Sequence, residues 1–408
     1  MKYALAQINT RVGDVARNVA SIKQACLRAV DGGADVVVFP ELTVTGYPPN
    51  DMLEHASMIR EAIDGIKEIT RFTADVPIQA LVGFVDVNRE LFGKPLYNAM
   101  ALVQGGEIHD IFYKTLLPTY DVFDESRYFK ANDLSRAGCF VPRVSEGLKD
   151  VRSPGAVGSA TNQRPTVFAP TLCEDLWHDT KHNGYYLYQI NPIEPLMLQD
   201  PDVIISMSAS PYAFRRESVR LDLAARTATR YGRPVLYTNL VGMNEGLLFD
   251  GASFVMGANG RVLARASRFE EDIIFWEPNP RARGSKKLSE ELDPGESRFR
   301  ALVMGIRDFF DKAAIPKKAV IGLSGGVDSA LVLALTVEAI GAENVIAATM
   351  PSQYSSRGSV VDSRTLARRL GVTLHKLSIE STVRVFERTL APLFQGLDVD
   401  VTEENIQA

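Results

Sequence analysis

Along the first 278 positions, apolar residues come in short runs that end on polar residues, and between those runs they recur at helical spacing. The runs "ADVVVFPE", "PIQALVGFVDV", "NAMALV", "TVFAPTLCED", "DVIISMSASP" and "PVLYTNLVG" read as buried strands. "ARNVASIKQACLRAVDGG" and "RRESVRLDLAARTATRYG" predict amphipathic helices that stop at glycine. "ASFVMGANGRVLARAS" predicts a hairpin turning at Asn259-Gly260. Strands that interleave with helices and also form hairpins imply a mixed α/β sheet protein.

After position 296 the pattern changes. A helix, "SRFRALVMGIRDFFDKAAI", leads into the strand-turn-helix "AVIGLSGGVDSALVLAL", then "NVIAATMPS", a helix through "VVDSRTLARRLG", and "VTLHKLSI". This β-α-β-α-β order is the start of a doubly wound parallel sheet. Residues 138–165 have the Gly, Pro, Ser and charge content of a surface insertion. The polar, proline-dotted tract before position 297 reads as a linker, set at 279–296 between a front unit, 1–278, and a rear unit, 297–408.

Composition narrows the class. The 408 residues are 46% hydrophobic and 23% charged, enough for more than one core. A net charge of −5 argues against nucleic acid as the main partner. The N-terminal "MKYALAQINTRVGD" has no export signal, and no apolar run is long enough to span a membrane. Cys26, Cys139 and Cys173 have neither disulfide-framework nor zinc-site spacing. A reducing cytoplasm is expected, with each cysteine either core filler or nucleophile.

"SGGVDS" combines a glycine turn, two hydroxyls and a helix start near Asp328. Backbone N–H groups and the positive end of a helix dipole suit phosphate there. It is neither a GxxxxGK[ST] loop nor a GxGxxG turn. The motif resembles the pyrophosphate loop of N-type ATP pyrophosphatases. That resemblance assigns ATP binding to Gly322, Leu323, Ser324, Gly325, Gly326, Val327, Asp328 and Ser329, and Mg²⁺ binding to Asp328. Substrate adenylation then calls for a nucleophile, which the front unit should deliver.

Three front-unit residues answer that need: Glu41 after "VVVFP", Lys114 in "FYKTLLPTYDVFDESRYF" and Cys173 in "APTLCEDLW". Singly, each is a weak signal: a Glu after a strand is usually a solvated cap, and a cysteine among apolar neighbours is usually core. Together they resemble the Glu-Lys-Cys triad of the nitrilase, or carbon–nitrogen hydrolase, superfamily, which implies an αββα sandwich. A thiol near pKa ~8.5 needs a base or a cation to react at neutral pH. Glu41 can take the thiol proton and return it to ammonia. Lys114 and the N–H after Cys173 can stabilise an oxyanion. His178 and His182, at i,i+4 without further ligands, read as a polar loop rather than a metal pair.

"GYPPND", "YKTLLPTYDVFDESRYF", "CEDLW", "SASP" and "FDGASFV", together with "SGGVDS", resemble the glutamine-dependent NAD⁺ synthetases over nearly the whole chain. The resemblance implies that glutamine is hydrolysed in front and that ammonia crosses a tunnel to deamido-NAD⁺ adenylated by ATP behind. It assigns Tyr120, Ser210 and Arg216 to glutamine, Glu125 to the support of Lys114, and Asn405 to deamido-NAD⁺. It also implies a homo-oligomer. Ser206 stands where the family usually has Asn, Arg216 where it has Lys, and "VGMNEGLLFDG" departs from its Gly-Gly-x-Asp-Glu pattern. The family's rear unit continues past "TEENIQA", so the expectation is a partial synthetase unit that makes no NAD⁺ alone. A stand-alone amidase and a non-enzymatic assembly partner are the rival readings. The GMP synthetases, whose Cys-His-Glu glutaminase uses a nucleophile elbow, fit less well.

Overall fold

The computed structural model describes residues 1–134, 166–182, 184–278, 292–351 and 355–393. The expected insertion falls wholly outside these residues, as do Cys139 and Asn405. The chain divides into two compact units, Met1–Pro294 and Gly295–Ala408.

The front unit opens with β1 (Tyr3–Gln7), α1 (Val15–Asp31), β2 (Val36–Val38) and α2 (Ala56–Phe72). Next come β3 (Gln79–Val87), β4 (Leu96–Gln104), β5 (Glu107–Tyr113) and the one-turn α3 (Glu125–Tyr128). After the undescribed stretch come β6 (Phe168–Leu172), the two-residue strands β7 (Lys181–His182) and β8 (Tyr185–Tyr186), and α4 (Ile193–Met197). Then follow β9 (Val203–Ser208), α5 (Arg216–Tyr231), β10 (Val235–Asn239), and the hairpin β11 (Val241–Asn244) with β12 (Leu247–Asp250). The unit closes with β13 (Phe254–Met256), β14 (Val262–Arg265) and β15 (Asp272–Trp276).

These strands build two large sheets, ordered β15-β1-β2-β3-β4-β5 and β14-β13-β10-β9-β6. Leu5, Val38, Phe84, Phe168, Ile205, Leu236 and Val255 belong to one buried cluster that joins both sheets. On the outer side of the six-stranded sheet, α1 brings Val19, Ile22 and Cys26 and α2 brings Ile66 and Ile69. On the outer side of the other, α5 packs Leu223, Ala224 and Ala228 against Tyr237 and Phe254. The layers therefore run helix, sheet, sheet, helix, as expected.

Both predicted helices end on their glycines, α1 at Gly32 and α5 at Gly232, which takes the left-handed conformation with φ 64°. The Asn259-Gly260 hairpin joins β13 to β14. The stretch Met243–Gly246 forms the tip of the β11–β12 hairpin, with Glu245 and Gly246 both at positive φ as a type I′ turn requires.

In the rear unit α6 (Pro294–Ala313) begins three residues before the predicted Ser297 start, because a proline is tolerated in the first helical turn. It is followed by β16 (Ala319–Gly322), α7 (Val327–Ile340), β17 (Val345–Thr349), α8 (Arg357–Leu370), β18 (Thr373–Lys376) and α9 (Glu380–Leu390). The three strands pair in parallel in sequence order, over a core of Leu323, Leu333, Ala347 and Ala367.

Candidate active site

Glu41 follows β2 on a turn pressed against β3. A Cβ on Gly83 would lie 2.4 Å from the Leu42 nitrogen and 2.6 Å from the Pro40 oxygen. Only a residue without a side chain lets the Glu41 turn come this close. The Val44 N–H donates to the Gly83 carbonyl at 3.0 Å, and Thr43 Oγ1 to the Pro40 carbonyl, which fixes the turn.

Lys114 follows β5, its N–H donating to the Asn98 carbonyl of β4 at 2.9 Å. Its ammonium is fully buried and lies 2.7 Å from Glu41 Oε1 and 2.8 Å from both oxygens of Glu125. An ammonium has three N–H donors, and these contacts occupy them all. The Tyr47 hydroxyl donates to Glu125 Oε1 at 2.9 Å, and the Asn98 amide reaches both carboxylates. Burial works against the lysine charge, but Glu125 and Glu41 outweigh it and hold its pKa well above the ordinary value. Burial pushes Glu125 up to about 7 despite Lys114.

Cys173 ends β6 and starts a short 3-10 turn, Cys173–Trp177. Its φ of 40° is in the left-handed region, disfavoured for any residue with a side chain. A strained turn of this kind stores about 1–3 kcal/mol and marks sites where a side chain must be aimed. The backbone thus forms a sharp strand-to-helix turn at Cys173. Burial raises the thiol pKa, Glu41 raises it further, and Lys114 opposes them. The resting sulfur is therefore a thiol that needs a base.

The Ala209 N–H donates to Glu41 Oε2 at 3.2 Å and also favours a thiolate on Cys173, so Oε2 and the sulfur share one neighbour. Next along the chain, Ser210 is buried and pinned from both sides. Its N–H donates to Asn239 Oδ1 at 2.9 Å, and its carbonyl accepts from Arg220 and Asn239 at 3.3 Å each. Tyr120 donates its hydroxyl to Glu174 at 2.9 Å. Arg216 lies over the Trp177 ring at 5.3 Å and pairs with Asp121 at 3.8 Å. Tyr120, Ser210 and Arg216 thus all belong to the surroundings of the Cys173 turn.

Three further residues escaped the sequence reading. Asp175 accepts the N–H of Thr115 and Leu116 on one oxygen, at 3.1 and 2.8 Å, and that of Leu172 on the other, at 3.1 Å. It thereby ties the Lys114 loop to the Cys173 turn, and burial raises its pKa to about 6. Glu174 is buried, its pKa raised by burial, and it accepts from both Tyr120 and Tyr188. Asn98 is the third. His178, expected on a polar loop, is instead buried, and burial lowers its pKa. Among the described residues no group of His, Cys, Asp and Glu could hold a metal on its own.

In the rear unit the Leu323 N–H extends the sheet by donating to Ala348 at 2.7 Å, and Ser324–Ser329 then turn into α7. Ser324 Oγ accepts from the Gly326 N–H at 3.2 Å and contacts Ser329 Oγ at 3.1 Å. Gly325 has φ 86°, and a Cβ there would meet the Ser359 backbone oxygen at 2.4 Å. Asp328 stands exposed in the first turn of α7, beside the helix N-terminus.

Comparison with known proteins bears on both units. The carbon-nitrogen hydrolase family matches residues 2–281 and the NAD synthase family residues 298–408. The glutamine-dependent NAD(+) synthetase of Synechocystis sp. is 36% identical, over 99% of this chain and 69% of its own length. That of Thermotoga maritima is 33% identical, over 100% of this chain and 70% of its own length. The chain belongs to the glutamine-dependent NAD⁺ synthetase family. The solved synthetase of this family from Acinetobacter baumannii, in complex with ADP, matches the whole chain and 70% of its own, at TM-score 0.84 and 32% identity. An amidase from Nesterenkonia sp. matches 68% of the chain at TM-score 0.53 and 20% identity, a likeness of fold alone. Likeness to the synthetases spans both units, likeness to the amidase only two thirds of the chain, so the synthetase reading prevails over a stand-alone amidase. Among the described residues no helix is long and apolar enough to cross a membrane.

Proposed function

We propose that this chain is a glutamine-dependent NAD⁺ synthetase, an ATP-dependent carbon–nitrogen ligase. The observation that carries the reading is the buried Glu41–Lys114 contact beside Cys173, in a chain that also holds the "SGGVDS" turn.

In the front unit Glu41 Oε2 takes the Cys173 proton as sulfur attacks the glutamine carboxamide. Charge moves onto the amide oxygen. At the same moment Glu41 becomes neutral and its hold on Lys114 weakens, which frees an N–H for the new oxyanion. Proton transfer and oxyanion stabilisation are thereby linked through one lysine. Glu41 then returns the proton to departing ammonia and activates the water that cleaves the thioester. Glu125, held by Tyr47, keeps Lys114 in place and charged. Glu174 receives the α-ammonium of glutamine, a buried carboxylate being well suited to a desolvated cation. Arg216 receives the α-carboxylate, while Tyr120 and Ser210 frame the side chain.

In the rear unit, backbone N–H groups around Gly322–Ser329 and the α7 N-terminus hold ATP phosphates. Asp328 is a single carboxylate, which fits Mg²⁺ that takes its other ligands from phosphate and water. Adenylation of deamido-NAD⁺, to which the resemblance assigns Asn405, releases pyrophosphate, and attack by the ammonia then forms the amide and releases AMP. The reading includes a homo-oligomer in a reducing cytoplasm, which suits the free Cys26 and Cys173.

Paired variants test it. Cys173→Ala should abolish ammonia release from glutamine and leave ATP binding intact. Asp328→Ala should weaken Mg²⁺-ATP binding and leave glutamine hydrolysis intact. Loss of both activities in both variants would overturn the two-site reading.

A further inference from the structure

We infer that Asn98 is a positioning residue that commits one oxygen of Glu41, Oε2, to the Cys173 proton. The inference rests on the glutaminase reading above. Asn98 is fully buried in the middle of β4, where nearly every neighbour in the strand is apolar. Its Nδ2 donates to Glu41 Oε1 at 2.8 Å and approaches Glu125 Oε2 at 3.4 Å. Both near groups are carboxylates, so the amide turns its donor toward them. Its Oδ1 is left buried without a partner among the described residues. A residue kept for packing or strand stability alone would gain by losing that orphaned acceptor.

The two oxygens of Glu41 are consequently unequal. Oε1 accepts from Lys114 at 2.7 Å and from Asn98 at 2.8 Å, both of them donors. Among the described residues Oε2 accepts only the longer Ala209 N–H contact at 3.2 Å, from the amide that also faces Cys173. A proton leaving sulfur therefore forms its new bond to Oε2, where a lone pair is open. Lys114 alone would not enforce this, because it slackens as Glu41 is neutralised. Asn98 has no charge and holds through the transfer, so the carboxyl group does not rotate between taking the proton and giving it to ammonia.

The groups that face Glu41 are Tyr47, Lys114, Glu125, Cys173 and Glu174. Asn98 adds the one neutral side-chain donor to its anion.

The test measures glutamine hydrolysis against pH for the parent chain, Asn98→Ala, Asn98→Asp and Cys173→Ala. Alkylation of Cys173 by iodoacetamide is followed alongside, peptide by peptide. In Asn98→Ala, kcat should fall roughly 10- to 100-fold with KM nearly unchanged. Alkylation of Cys173 should slow along with kcat, since both need the sulfur proton to leave for Oε2. Asn98→Asp keeps the shape of the side chain and can donate only while its new carboxyl is protonated. It should approach the parent at low pH and fall away as pH rises, which also decides the matter if the alanine variant folds poorly. Parent-like kcat in Asn98→Ala, or a pH-independent loss in Asn98→Asp, would overturn the inference. If Cys173→Ala still hydrolyses glutamine, the glutaminase reading itself fails; if only Cys173→Ala is inactive, the positioning role alone fails.

Discussion

Glu41 and Lys114, 73 residues apart in sequence, meet at 2.7 Å with neither side chain exposed to water. With Glu125 they place two carboxylates on one ammonium, a balance that neither folding nor catalysis tolerates losing. Lys114→Met should reduce glutamine hydrolysis roughly 10²- to 10³-fold, the scale for one lost oxyanion donor. It should also destabilise the fold at neutral pH by about 3–5 kcal/mol, because two buried carboxylates lose their cation. Glu125, which burial already pushes up to about 7, must then bind a proton to stay buried, so the deficit should shrink as pH falls. Urea titrations near neutrality and in mild acid would decide; a deficit independent of pH would contradict this account.

Glu125 gives the chain a second pH signature. Its folded pKa is about 7, while an unfolded glutamate titrates near ~4.3. Between those values the folded chain holds a proton that the unfolded chain has released, so stability falls as pH rises. Asp175, raised to about 6, acts in the same direction. Glu125→Gln should flatten the decline between mild acid and neutrality, leaving the part below about 6 that belongs to Asp175. The midpoint of urea unfolding against pH is the measurement. An unchanged slope would show that Glu125 carries no such proton.

Gly83 is predicted to be the least replaceable position in β3. A Cβ there would strike backbone atoms of Pro40 and Leu42, not the end of a flexible side chain. Gly83→Ala should destabilise the front unit by about 1–3 kcal/mol. A displacement of Glu41 by even an ångström should lower hydrolysis about 10²-fold. Thermal unfolding and steady-state rates would check both, and a fully active variant would mean that the Glu41 turn can move without consequence.

The same logic applies in the rear unit with the opposite functional readout. Gly325→Ala adds a Cβ against the Ser359 backbone at a residue whose φ is 86°. Calorimetry should find weakened ATP binding, while glutamine hydrolysis stays at the parent rate. Normal ATP affinity in this variant would remove the loop from the nucleotide site.

Much of the fold was legible where periodicity and punctuation agree. α1 and α5 carry apolar residues at helical spacing and stop at glycine, and β3, β4 and β9 are apolar runs of strand length. Among the elements missed outright is α2. Its Met58, Ala62, Ile66 and Ile69 have the spacing, but His55 at its N-cap makes no side-chain bond, so no start signal marks it. β5 was missed because none of its residues is fully buried, which leaves no clear apolar face. In the site, Glu41, Lys114 and Cys173 could be named because their order and sequence contexts together resemble the nitrilase triad. Asn98 and Asp175 could not. Their roles come from which oxygen or nitrogen they meet across the fold, and nothing in "LYNAMALVQ" or "CEDLW" encodes those partners locally. The left-handed φ of Cys173 was equally hidden, since glycine would announce such a turn and cysteine does not.

Asp175 also governs how the site comes apart. One carboxylate holds the amides of Thr115, Leu116 and Leu172, all within two residues of Lys114 or Cys173. Releasing any one of them to solvent requires loosening the same acceptor, so the three belong to a single opening event. Hydrogen exchange at these amides should report one shared opening free energy. A stressed sample would then contain intact sites and dismantled sites in changing proportion, with nothing half-assembled between them, and its remaining activity would count molecules.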